Sequence, residues 1–186
     1  MCPIPAFDHN DVLPPHLGSP TTRGDMSPYN CTIIEVCQRF ATSQERIAIL
    51  RGFITFRLEI LRHGVAIGFQ WIDGSFVENV EKSKGRPPRD LDVVTFYGGL
   101  DITQQGVLNT NFPEFFDPTL SKARYLLDHY AVDCTYSPLD TVEFTRYWIQ
   151  LFTHNRHSVW KGILNVPINT ATEDNEALTY LNGLAI

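Results

Sequence analysis

Apolar residues recur at three- and four-residue steps through Ile47, Leu50, Ile54, Leu58 and Leu61, the spacing that lines one face of an α-helix. Just before them, Thr42-Ser43-Gln44-Glu45 has the arrangement of a capping box, in which a hydroxyl and a carboxylate satisfy the free N–H groups of a first turn. The pattern predicts a long helix ending near His63-Gly64, preceded by a shorter helix from Cys31 to Phe40. Runs rich in β-branched and aromatic residues predict strands at Val65 to Ile72, Asp90 to Phe96, Tyr130 to Tyr136 and Trp160 to Val166. Phe76 to Val80 reads as a short helical turn. Asp117-Pro118, a cap followed by proline, opens a helix expected to run to about His129. Asp140-Thr141-Val142-Glu143 opens another through Tyr147, Trp148 and Leu151, and a last short helix is expected from Glu173 to Leu181. Glu81 to Arg89, broken by glycine and prolines, and the polar stretch Gly98 to Asn111 read as loops.

Strands interleaved with helices predict an α/β fold with a small mixed sheet and helices mainly on one face. Residues 1–28 carry prolines, glycines and aspartates without sustained periodicity and read as an extended N-terminal arm, pinned by Phe7 and Leu13. Residues 29–186 are then one domain, a length suited to a single core. No internal repeat or low-complexity segment interrupts it.

Composition narrows the class of protein. The hydrophobic fraction of 43% and charged fraction of 19% are ordinary for a globular chain. No apolar run approaches the roughly 20 residues that span a bilayer. The opening Met-Cys-Pro-Ile-Pro-Ala-Phe-Asp lacks the basic and apolar segments of a secretory leader, so a cytoplasmic location is expected. A net charge of -6 argues against non-specific coating of nucleic acid, which depends on basic residues neutralising phosphates. Cys2, Cys31, Cys37 and Cys134 are scattered and read as reduced thiols rather than a zinc site or a disulfide framework. His63, His129, His154 and His157 read as surface or helix-end residues, and Trp71, Trp148 and Trp160 as core. In a cytosolic chain, Arg23-Gly24-Asp25 and Asn30-Cys31-Thr32 are coincidental matches to adhesion and glycosylation motifs.

The chemistry concentrates in two short motifs. Asp90-Leu91-Asp92-Val93-Val94 sits on a predicted strand, so Asp90 and Asp92 share one face while Leu91 and Val93 take the other. Like charges held that close raise each other's pKa unless a cation lies between them, and an all-oxygen pair suits hard Mg²⁺. Gly74-Ser75 ends the preceding apolar run, where a turn without a side chain lets backbone N–H groups and a hydroxyl approach phosphate. Asp133, in the middle of Tyr130 to Tyr136, is costly in a strand without a partner; beside the first two carboxylates it completes a site for two divalent ions about 3.5 to 4 Å apart. Asp101 is the next choice for that third position.

These residues resemble the polymerase-beta-like nucleotidyltransferase superfamily, over roughly Val65 to Tyr136. The opening Pro-Ala-Phe-Asp through Leu13-Pro14-Pro15 looks most like small, minimal bacterial members, some of which sit in defence or toxin-antitoxin contexts. The resemblance implies that Gly74 and Ser75 hold nucleotide phosphates, that Asp90 and Asp92 bind two Mg²⁺ ions, and that Asp133 helps hold the catalytic ion and activates an acceptor hydroxyl. It implies transfer of a nucleoside monophosphate from an NTP such as ATP to an RNA, protein or small-molecule acceptor. A catalytically silent partner-binding protein, an antitoxin or regulatory subunit, is the second expectation, and a two-metal phosphohydrolase or nuclease the third. The chain departs from the superfamily pattern in the interval of fourteen residues between Ser75 and Asp90, where Lys84, Arg86 and Arg89 could meet a triphosphate or simply face water.

Overall fold

A computed structural model of the chain describes residues 4–185; Cys2 lies outside them. The long periodic segment forms helix α2 (Gln44–Arg62), whose first turn is capped by the Ser43 hydroxyl accepting from Arg46 N–H. Helix α1 (Ile33–Phe40) starts from a complete capping box between Thr32 and Glu35. Their apolar faces bury Val36, Phe40, Ile47, Leu50, Phe53 and Phe56 against the sheet.

That sheet has five strands in the order β1-β5-β2-β3-β4. Strand β2 (Ile67–Asp73) lies antiparallel to β3 (Leu91–Gly98) and to β5 (Leu164–Pro167), while β4 (Leu127–Asp133) runs parallel to β3 at one edge and the short β1 (Tyr29–Asn30) runs parallel to β5 at the other. The sheet is mixed, as the sequence predicted. Side-chain alternation divides it into two faces. Ile72, Leu91, Val93, Leu127 and Leu164 join the main core with α1, α2, α5 (Pro118–Tyr125) and α7 (Ala171–Asn182). Trp71, Val94, Phe96 and Val132 face the other way, onto Trp148 and Phe152 of α6 (Pro138–Phe152). Helices therefore cover mainly one face.

The main core encloses a polar network. Arg57 of α2 donates to Asp174 at 2.6 Å and to Gln70 at 2.7 Å; Gln70 donates to Thr95 at 3.0 Å, and Thr95 meets His129 Nε2 at 2.8 Å. Buried polar groups persist only when partnered, and this chain ties α7, α2, β2, β3 and β4 together. His129 is fully buried in β4, not on a helix end, because α5 stops earlier than its cap suggests. Leu126 adopts the left-handed conformation (φ 60°) and ends the helix after Tyr125, so β4 begins at Leu127 rather than Tyr130.

Other boundaries differ too. Gly98 to Asn111 contains helix α4 (Ile102–Asn111), started by a capping box in which Asp101 accepts from Gln104 N–H and the Gln104 side chain accepts from Asp101 N–H. Val80–Lys84, expected to be largely loop, forms the single turn α3 ended by Gly85 at φ 62°. Trp71 and Trp148 are buried, but Trp160 is 40% exposed against His16 of the arm. The arm crosses the domain with Leu13 buried and Phe7 against Phe40. Its backbone is held at three points: Asp11 O accepts from Asn79 N–H at 2.8 Å, Leu13 O accepts from Gly162 N–H at 2.8 Å and Pro14 O accepts from Tyr29 O–H at 2.6 Å. Cys37 and Cys134 are free thiols, and Cys31 Sγ donates to Asn165 O at 3.8 Å. Among the described residues no helix is long and apolar enough to cross a membrane.

Candidate active site

The strand register brings three aspartates into a row. Asp73, the last residue of β2, pairs across the ladder with Asp92 of β3, and Asp92 pairs with Asp128 of β4. Directly opposed residues in neighbouring strands project to the same side, so all three carboxylates stand on the α6 face at one end of the sheet. Asp90 precedes β3 and adds a fourth charge. The turn that follows β2, Gly74–Val77, is a short 3-10 segment. Gly74 has φ 77°, and a Cβ there would run into the Asp92 carboxylate, so glycine is required both for the backbone and for the close approach. Gly74 and Asp92 thus meet, with Ser75 next in sequence to the one and Asp90 two residues before the other.

Asp133 does not join them. It is paired in register with Tyr97, five residues along β4 from Asp128, which at about 3.3 Å per residue is some 17 Å away and on the opposite face. Its side chain accepts from Gln105 at 2.7 Å and from Thr135 N–H at 2.8 Å. Burial works to raise its pKa, but the bonds from Thr135 and Gln105 outweigh it and hold the carboxyl below its usual range. Asp133 is a strand-end and α4 anchor, and Asp128 stands in its place beside Asp92. Asp101 serves as the α4 cap. In the stretch before Asp90, Lys82 pairs with Asp11 and Lys84 with Glu78, while Arg86 and Arg89 are exposed.

Two lysines that sequence reading passed over set the electrostatics. Lys161, from the segment before β5, is 1% exposed, with its Nζ 3.0 Å from Asp73 Oδ1, 3.1 Å from Glu78 Oε1 and 3.1 Å from Gly74 O. Burial disfavours its charge, but Asp73 and Glu78 more than compensate and keep it cationic. It ties both flanks of the glycine turn to the body of the domain. Lys122 of α5 pairs with Asp90 at 2.5 Å. Even so, burial pushes Asp92 up to about 6, with Asp90 and Asp128 adding to the rise and Lys161 and Lys122 opposing it. Asp73 is raised to about 7, by burial first, although Lys161 lies beside it. Carboxylates held that far above their ordinary range mark a place where a cation would relieve repulsion. As the side chains stand, no group of three His, Cys, Asp or Glu residues among those described is arranged to hold an ion. The Asp90 carboxylate is turned onto Lys122.

Fold and site together define a mixed α/β protein with an in-register aspartate row, buried at Asp73, beside a glycine turn. The chain belongs to DUF6932, a family of unknown function whose model matches residues 5–167. That span includes every residue of the site, from Asp73 to Lys161. No curated protein and no solved structure matches the chain.

Proposed function

We propose that the chain is a Mg²⁺-dependent nucleotidyltransferase, of the polymerase-beta-like kind, that moves a nucleoside monophosphate from an NTP to a hydroxyl of an RNA, protein or small-molecule acceptor. The observation that carries this reading is the in-register Asp73-Asp92-Asp128 row beside Gly74. The donor set fits a hard divalent cation: it is all oxygen, it is acidic, and its central carboxyl is raised to about 6 by burial, with Asp90 and Asp128 adding to the rise. Asp90, Asp92 and Asp128 would hold the ions, with Asp128 taking the role that the resemblance gave to Asp133. Bound Mg²⁺ would neutralise the leaving pyrophosphate and lower the pKa of the acceptor hydroxyl.

The protein's own groups do the rest. Gly74 lets the turn pack directly on Asp92, Ser75 would add a hydroxyl donor to the β- and γ-phosphates, and Lys161 holds the turn in place by its carbonyl. Asp128 orients the acceptor hydroxyl. As the acceptor oxygen bonds to the α-phosphorus, the bond to the pyrophosphate oxygen breaks and the hydroxyl proton passes to a carboxylate of the row.

Incubation with radiolabelled NTP, Mg²⁺ and cell extract as the source of acceptor should transfer label, and Asp92→Asn should abolish that transfer. Undiminished transfer by the variant would remove the aspartate row from the mechanism. A second reading, a catalytically silent partner-binding protein, is favoured by the Asp90–Lys122 pair, in which a lysine stands where the first reading needs an ion. Calorimetric titration with Mg²⁺ and NTP separates the two, because the silent protein gives no metal-dependent binding.

A further inference from the structure

Two cations bear on Asp92, and they are unlike each other. Lys161 is buried and fixed by three acceptors; Lys122 stands on the outer side of α5 with its side chain 54% exposed. Its Nζ lies against Asp90 Oδ2, and Asp128, which pairs in register with Asp92, lines the same cavity as Lys122. The Lys122 ammonium therefore stands at the acidic end of the sheet, held there by Asp90. Next to it opens a cavity of about 460 Å³ lined by Pro118, Thr119, Lys122, Ala123, Asp128 and Tyr130. The strand order sets the direction: the glycine turn lies on the β2 flank of the row and the cavity on the β4 flank.

We propose that Lys122 is a movable substrate-binding cation, held on Asp90 while the site lacks metal and released to the transferred phosphate once a divalent ion takes Asp90. The inference rests on the nucleotidyltransferase reading of the same site. A divalent ion at Asp90 cancels the attraction that holds the ammonium and repels it. The flexible four-carbon stem of lysine and the open cavity give it room to turn, and its three donors suit a phosphate as a point charge. An α-phosphate over Asp92 and Asp128 would be the anion on the cavity side of the row, where Lys122 lies. Lys122 would thus make nucleotide binding follow metal binding, since the cation becomes available only after Asp90 is occupied.

The test is a pair of calorimetric titrations on the full chain, Mn²⁺ alone and then a non-hydrolysable ATP analogue in excess Mg²⁺. Removing the competing cation with Lys122→Met should tighten Mn²⁺ binding about two- to fivefold, the scale of an exposed ion pair. The same variant should weaken binding of the ATP analogue about tenfold, through loss of a charged hydrogen bond. Opposite shifts in one variant are a signature that general damage to the fold does not produce. Lys122→Arg, which keeps the charge, should remain close to wild type in both titrations. Wild-type protein that binds Mn²⁺ as tightly as Lys122→Met, or an ATP analogue bound equally by the two, overturns the role of Lys122 alone. Wild-type protein that binds no Mn²⁺ overturns the nucleotidyltransferase reading and the inference with it.

Discussion

Asp92→Asn should make the metal-free protein more stable, and the gain should grow with pH. The Asp92 carboxyl titrates near 3.8 when unperturbed and near 6 in the fold. A folded-state pKa above the unfolded one means that the native protein binds more protons, so the stability contributed by protonation is complete below 3.8 and is lost as pH rises through 6. The difference of about 2.2 pH units, at about 1.36 kcal/mol each, leaves ionised Asp92 costing the fold ~3 kcal/mol at pH 8 and only ~0.5 kcal/mol at pH 4. Asparagine keeps the shape and removes the charge, so the variant should unfold in urea with ~3 kcal/mol more stability at pH 8, shrinking towards zero at pH 4. For a chain of this size that is a rise in Tm of about 6 to 12 °C at the higher pH. Saturating Mg²⁺ should narrow the gap by stabilising wild type alone, by ~2.7 kcal/mol at a hundred times the Kd. A variant no more stable than wild type at pH 8, or a gain that does not change with pH, would refute the argument that Asp92 is held ionised against its surroundings.

Other outcomes follow from the same structure. Lys161→Met leaves Asp73 and Glu78 buried without their cation and should lower unfolding free energy by ~3 kcal/mol or more, whereas Asp73→Asn, at a carboxyl that burial raises to about 7, should raise it. Chemical denaturation at pH 7 measures both. His129 is held neutral, its pKa pushed down to about 3 by burial. Its contribution is therefore intact above 6.5 and is lost as pH falls from there towards 3, up to ~5 kcal/mol. His129→Gln should flatten the fall in stability between pH 6.5 and pH 4 as followed by circular dichroism, and an unchanged slope would show that another group drives acid unfolding.

The elements with strong local signals were legible from sequence. Helix α2 announces itself through periodic apolar residues and Ser43, and the Gly74-Ser75 and Asp90-Leu91-Asp92 motifs are brought together by the packing of Gly74 on Asp92. The third side was not legible because α5 ends at Leu126 in a left-handed conformation that sequence signals assign to glycine or asparagine. Extending the helix to His129 shifted the following strand by three residues and placed Asp133 beside Asp92, where the register puts Asp128. The Asp101-x-x-Gln104 capping box was readable in principle and would have marked α4. Lys161 and Lys122 carried no local signal at all. Lys161 reaches Asp73 because the strand it precedes, β5, pairs with β2, and Lys122 reaches Asp90 because α5 leads into β4 beside β3. Only tertiary pairing reveals such partners.

The role of the aspartate row is tested most directly by calorimetric titration of wild type, Asp128→Asn and Asp133→Asn with a non-hydrolysable NTP in the presence of Mg²⁺. Metal-dependent binding should be present in wild type, unchanged in Asp133→Asn and lost in Asp128→Asn. Binding that survives in Asp128→Asn, or that disappears in Asp133→Asn, would contradict the account.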